Sequence, residues 1–487
     1  VVMPEDTKLT IGVGAPGHKA AFGAIEFNLA APESTYTFTV TEAEGELGGV
    51  TYDTDVRTIT VKVTDNGDGT LKVENLGVTG GSNNLTFTNT YKAGSVTLPG
   101  NENFKGLKTI DGRNGLEGET FEFTMMKGDV TGGGDWSAVT TKDGKAFDKA
   151  TATATMHTDK VSASYWFDDL TFAKAGTYTF NVTETGHNGK PLPADGTNAM
   201  TYDRHTGTIT VVVTDDGTGK LTATATEGSS ADGRSIDFVN KYAPESVTYG
   251  SADEVLGGDK FMDDQTGGFV FADGQFTFVM RGQAAGVPMP EGLDVKHDGQ
   301  GRPIVSVQNT KVNDDQGAYD FGEIVFEHSD MTGATDKGNG IFEKAFQYNI
   351  FEGDSTVPGV TQDNTAYTVT FTVTENQNTG KMTVVASAVK VASGGGENQP
   401  VDMDQLDFTN THDADKISGY QNIFKTIEGR DFQAGDEFVW DISMTAVDES
   451  DAPMQKEQLP TVGPDISEPG ADPSAELSNL TYTDAGD

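Results

Sequence analysis

The chain has 487 residues, enough at roughly 100–200 per domain for three or four domains with cores of their own. Its 75 acidic residues against 33 basic ones give a formal net charge of −42, which excludes a nucleic-acid partner and argues against an anionic membrane surface. Cysteine is absent, excluding disulfides and thiolate chemistry; no apolar run approaches the roughly 18–20 residues of a membrane-spanning helix, and Val1 onward does not read as a signal peptide.

Sixty glycines with abundant Thr, Val and Asp predict an all-β chain with many turns. In chain order, a strand is expected at Tyr36-Thr-Phe-Thr-Val-Thr-Glu42, and it recurs at Tyr178-Thr-Phe-Asn-Val-Thr-Glu184 and Gln347-Tyr-Asn-Ile-Phe-Glu352. After each comes a short motif: Gly49-Val-Thr-Tyr-Asp53, Ala199-Met-Thr-Tyr-Asp203 and Gly359-Val-Thr-Gln-Asp363. Alternating strands follow around Ile59, Ile209 and Val369. They end in polar turns, Asp65-Asn-Gly-Asp-Gly69, Asp215-Asp-Gly-Thr-Gly219 and Glu375-Asn-Gln-Asn-Thr-Gly380, which predict hairpins.

Each unit closes on a short strand: Phe87-Thr-Asn89-Thr-Tyr91, Phe238-Val-Asn240-Lys-Tyr242 or Phe408-Thr-Asn410-Thr-His412. New units open at Leu107-Lys108-Thr-Ile-Asp-Gly-Arg113, more loosely at Asp259-Lys260-Phe261, and at Phe424-Lys425-Thr-Ile-Glu-Gly-Arg430. Boundaries near 92, 242 and 412 then give units 1–92, 93–242, 243–412 and 413–487. The first lacks its opening strands and the last its closing ones, so the chain reads as a piece of a longer multidomain protein.

Residues two apart on a strand share a face. Glu42 and Glu184 therefore lie with the apolar residues before them, Asn89, Asn240 and Asn410 with their neighbouring aromatics, Lys108 with Phe104 and Ile110, and Lys425 with Ile423 and Ile427. Lys105, by contrast, falls on the opposite face with Leu107. Each unit is expected to point a Lys, a Glu and an Asn into its core. Burial disfavours both charges, pushing a lysine towards the free amine and a carboxylate towards the acid. A free amine beside a carboxamide permits amide formation with loss of ammonia, the glutamate moving protons.

The Tyr-Thr-Phe-x-Val-Thr-Glu, Val-Thr-Tyr-Asp and Phe-Thr-Asn-Thr-Tyr strings, with the Lys-Thr-Ile-Asp/Glu-Gly-Arg openings, resemble the streptococcal pilin isopeptide-linkage domain family over nearly the whole chain. The resemblance implies tandem immunoglobulin-like β-sandwiches, two complete and two partial. It implies a cross-link from Lys108 to Asn240 with Glu184 as catalyst, and another from Lys260 to Asn410 with Glu352. Lys260 sits in a divergent neighbourhood, and Gln362 replaces the usual Tyr. Glu42 and Asn89 are the first unit's share of such a site, and Lys425 the last unit's. These are complementary halves of one domain, so the fragment could join head to tail, which a covalent ladder on an SDS gel would reveal.

The expected role is a structural stalk of a Gram-positive surface or pilus protein, extracellular and held to the cell wall through other parts of its parent. Its expected partners are neighbouring pilin or surface-protein domains, with no cofactor and no catalysis beyond self-cross-linking. The alternative is an adhesin whose insertions, Met126 to Tyr165 and Arg281 to Ala345, contact a host glycan or matrix protein. These insertions are expected to be surface loops pinned by a few aromatics. The Asp65–Gly69 string hints at a calcium loop but has no glutamate for the last ligand, and is expected to be a hairpin turn.

Overall fold

The computed structural model describes the chain apart from residues 29–32, 229–234, 252–253, 266, 393–395, 414–416, 420–421, 432, 434, 437, 439–473, 477–479 and 483–487. Among the described residues the architecture is almost entirely β, and no helix is long and apolar enough to cross a membrane. By internal contacts the chain falls into two compact units, Val1–Pro193 with Tyr202–Asn240, and Ala194–Thr201 with Lys241–Asp487.

In the first repeat, Glu33–Val40, Arg57–Asp65 and Leu71–Thr79 form an antiparallel sheet in that order, while Val50–Thr51 pairs with Thr90–Tyr91. The Thr/Val alternation of Arg57–Asp65 buries Val61 and Val63 and turns the threonines outward. Beside a small sheet of Val96–Leu98, Leu170–Phe172 and Val139–Thr141, the second repeat has two main ones. One carries Lys149–Thr155, Thr120–Thr131, Gly176–His187, Gly207–Asp215 and Leu221–Glu227 in that order; the other carries Ser162–Trp166, Lys105–Asp111, Phe238–Tyr242 and Met200–Thr201. Phe121, Phe123, Phe180, Val182 and Phe238 are fully buried, each contributing about 1.5–3 kcal/mol.

The third repeat follows the same plan with more strands. Thr277–Gly282, Ile341–Glu352, Ala366–Asn376 and Lys381–Lys390 lie side by side in one sheet, and Gln316–Asp320, Gly257–Asp264 and Phe408–His412 in the other. Its opening and closing strands run parallel, with Lys260 opposite Phe408 and Met262 opposite Asn410. Parallel pairing needs a long crossover connection, which the whole of the repeat between the two strands supplies. Beyond it, Ile417–Gly419 pairs with Leu480–Tyr482 and Asn422–Phe424 with Ser474–Glu476.

The two insertions differ from the loops expected of them. Much of each is strand: Val139–Thr141 and Lys149–Thr155 in one, Pro303–Gln308, Thr310–Asn313, Gln316–Asp320 and Ile324–Phe326 in the other. Most of their glycines and charges sit at turns or on outward faces, Gly282 and Gly317 being buried within strands, while Phe147, Tyr165, Val305 and Tyr319 supply the inward face. The Asp65–Gly69 string is a turn whose carboxylates are occupied by their own backbone. Asp65 Oδ1 accepts from Gly67 N at 2.8 Å, and Asp68 Oδ1 from Thr70 N at 3.0 Å.

Candidate functional site

The lysine and asparagine strands of the second repeat lie in one sheet, and the glutamate strand Gly176–His187 lies in the sheet facing them. Strand parity turns all three side chains into the space between, where Lys108 and Asn240 are wholly buried and Glu184 nearly so. One carboxylate serves both partners. Lys108 Nζ donates to Glu184 Oε2 at 2.8 Å, and Asn240 Nδ2 donates to Glu184 Oε1 at 2.8 Å. The third repeat repeats the arrangement: Lys260 Nζ to Glu352 Oε2 at 2.9 Å, and Asn410 Nδ2 to Glu352 Oε1 at 2.7 Å. Lys105, three residues earlier on the same strand, is exposed.

The surroundings are aromatic. Lys108 Nζ lies 4.8 Å from the centre of the Phe121 ring, and Lys260 Nζ lies 5.1 Å from that of Phe276. Phe123 stacks on Tyr165, whose hydroxyl donates to Ile236 O just ahead of the asparagine strand. Phe278 stacks on Tyr319, whose hydroxyl donates to Leu406 O at 2.6 Å. This dry wall acts on both charges. Burial pulls the Lys108 amine down to about 8 against the pull of Glu184, and it raises the Glu184 carboxyl against the pull of Lys108. Lys260 and Glu352 move in the same directions for the same cause.

A third group fixes the carboxamide. The backbone N–H of Asp203 donates to Asn240 Oδ1 at 2.8 Å, and that of Asp363 donates to Asn410 Oδ1 at 2.7 Å. The same aspartates accept from the residue before the asparagine: Val239 N to Asp203 Oδ2 at 3.0 Å, and Thr409 N to Asp363 Oδ2 at 2.9 Å. Each carboxamide thus has its nitrogen on the glutamate and its oxygen on a backbone donor, which polarises the carbon between them.

The first repeat keeps only part of this. Asn89 Nδ2 donates to Glu42 Oε1 at 2.7 Å, and Asp53 N donates to Asn89 Oδ1 at 2.8 Å. Asn89 is exposed and Glu42 half-buried, which corrects the expectation that every copy points into a core. The cause is that the first repeat's small sheets leave this face uncovered. Glu42 Oε2, the oxygen that takes lysine in the other copies, is buried with no hydrogen-bond partner among the described residues. Lys425 is half-buried with Nζ 4.9 Å from the centre of the Phe438 ring, the same cation and ring pairing as Lys108 with Phe121. Arg430 pairs with Asp436 at 2.8 Å as Arg113 pairs with Glu119 at 2.6 Å.

A family profile, the Spy0128-like isopeptide containing domain (FctA), matches residues 3–92, 104–243 and 257–413. The chain belongs to this family. Among solved structures it is similar to Streptococcus pyogenes major pilins. The T-13 pilin is 17% identical, covering 66% of this chain and 100% of that one at a TM-score of 0.22. A second major pilin is 15% identical, covering 66% and 98% at a TM-score of 0.21. A search of curated proteins gives no significant match.

Within this family member, the aspartate that clamps the carboxamide was not among the residues singled out from sequence. Its signal was retention: Asp53, Asp203 and Asp363 persist while the residue before them changes from Tyr to Gln. The Gln is no loss. Gln362 Nε2 donates to Glu352 O at 2.8 Å and to Gly353 O at 2.9 Å, tying the glutamate strand's end to the aspartate loop.

Proposed function

We propose that this chain is a shaft segment of a Gram-positive pilus or pilus-like surface protein, displayed outside the cell and flanked by other pilin domains. In this reading its second and third repeats are each closed by a self-formed amide, Lys108 to Asn240 and Lys260 to Asn410. The observation that carries the reading is the single buried carboxylate holding an amine on one oxygen and a carboxamide nitrogen on the other, built twice from the same strands.

Burial favours passing a proton from the Lys108 ammonium to Glu184, leaving a neutral amine and a neutral acid. The amine attacks Asn240 Cγ. Negative charge gathers on Oδ1, where the Asp203 N–H already donates; one such donor is worth about 2.7–4 kcal/mol. Glu184, now the acid, gives its proton to Nδ2, the Cγ–Nδ2 bond breaks and ammonia leaves, and the carboxylate so formed takes a proton from Nζ. One C–N bond forms and one breaks, with no change in oxidation state. Holding both groups on one carboxylate supplies up to about 7–11 kcal/mol of the barrier.

The amide would close a loop of 132 residues from Lys108 to Asn240, worth about 4–5 kcal/mol by analogy with a disulfide. Its larger effect is mechanical. Tension entering at the lysine strand and leaving at the adjacent asparagine strand would run through a covalent bond instead of the sheet. Peptide mapping of folded protein tests this directly. A branched peptide joining the Lys108 and Asn240 segments is expected, and recovery of both segments unmodified would overturn it.

A further inference from the structure

Within the first compact unit, the hairpin turn 215–219 of the second repeat meets the closing strand and aspartate loop of the first. The Tyr91 hydroxyl donates to Asp215 Oδ1 at 2.7 Å and accepts from Gly219 N at 3.0 Å, while Gly94 N donates to Gly219 O at 2.9 Å. The backbones touch. A Cβ on Gly219 would fall 2.5 Å from Gly49 N, and one on Gly48 would fall 2.0 Å from Thr218 O.

Within the second compact unit the same positions meet again. The Tyr242 hydroxyl donates to Glu375 Oε1 at 2.9 Å, and a Cβ on Gly380 would fall 2.6 Å from Ala199 N. Tyr91 and Tyr242 each stand two residues past the site asparagine, Asp215 and Glu375 each open the hairpin turn, and Gly49 and Ala199 each open the aspartate motif. His328 adds to the second instance, its Nδ1 lying 2.9 Å from Glu375 Oε2 and its ring edge-on to Tyr242. Two contacts built from corresponding residues in separate units are a repeated device.

We propose that this hairpin is the coupling element of the shaft. Its turn seats on the aspartate loop of the preceding repeat, and the tyrosine to carboxylate bond latches it two residues from that repeat's site asparagine. The partner surface is thus the asparagine-bearing end of another sandwich of the same kind. The latch goes beyond cross-linking and does not require it, because none of its groups belongs to the lysine, glutamate and asparagine site.

Amide hydrogen exchange on the full chain tests the latch, read at Gly94, which lies outside the mutated hairpin. Gly219→Val is expected to speed exchange at Gly94 by at least about tenfold, and Tyr91→Phe by a smaller factor. Gly69→Val is the control: Gly69 and Gly219 have φ of +89° and +87°, but a Cβ on Gly69 meets nothing within 4 Å, so strain is matched and docking is not. Gly94 should be unmoved there. Unchanged Gly94 exchange in Gly219→Val and Tyr91→Phe would overturn the proposal, as would equal loosening in Gly69→Val. The mass of each variant, read alongside, reports the cross-links separately, so the latch and the amides fail independently.

Discussion

The first and second repeats hold the same glutamate to asparagine hydrogen bond and the same aspartate N–H on the carboxamide oxygen, yet their surroundings are opposite. In the second, Glu184 Oε2 carries a buried lysine beneath Phe121; in the first, Glu42 Oε2 is buried with no hydrogen-bond partner among the described residues and Asn89 is exposed. The glutamate, asparagine and aspartate therefore assemble without the lysine strand, because loop and strand geometry places them. What the lysine strand adds is the cover that dries the site and an amine whose charge the dry site disfavours.

Removing the carboxylate should expose this difference most strongly. Glu184→Ala forfeits the cross-link, about 4–5 kcal/mol, and leaves Lys108 buried and unpaired, about 3–5 kcal/mol more. Calorimetry should show the second repeat's transition falling by roughly 20–30 °C, whereas Glu42→Ala should move the first repeat's by only a few degrees.

Asn240→Ala keeps the ion pair and loses only the bond, which makes the lysine titratable. Its folded value is lowered to about 8 from 10.5, so between these pH values the unfolded chain binds more protons and stability rises with pH. The variant's deficit relative to wild type should accordingly narrow by about 3 kcal/mol from pH 8 to 10.5, as read by chemical denaturation. With the proposed amide in place, wild type would have no free amine there to titrate. A deficit independent of pH would mean that the lysine is not desolvated.

Smaller changes sharpen the comparison. Asp203→Asn keeps the N–H on Asn240 but weakens the hold on Val239 N by about 1 kcal/mol, and freshly expressed protein should contain a larger uncross-linked fraction. Glu42→Gln should cost little, since Glu42 Oε2 is buried with no hydrogen-bond partner among the described residues, and should leave the number of cross-links unchanged.

Most of the second and third sites was legible in the sequence because strand alternation has a period of two: a Lys, Glu or Asn in step with Phe and Ile must point where they point. Even Lys260, in a divergent context, landed on Glu352. Parity names a face but not what covers it, which is why Asn89 was expected in a core. The aspartate clamp was hidden for a different reason, since its key donor is a backbone N–H that no side-chain pattern reveals. The strands inside the two insertions were masked by glycines and charges that mostly serve turns and outward faces.

Intact mass spectrometry tests the central claim most directly. The wild-type chain should be lighter than its sequence mass by two ammonia molecules, and the Glu184→Ala and Glu352→Ala variants by one each. A wild-type mass equal to the sequence mass, from folded protein, would contradict both bonds.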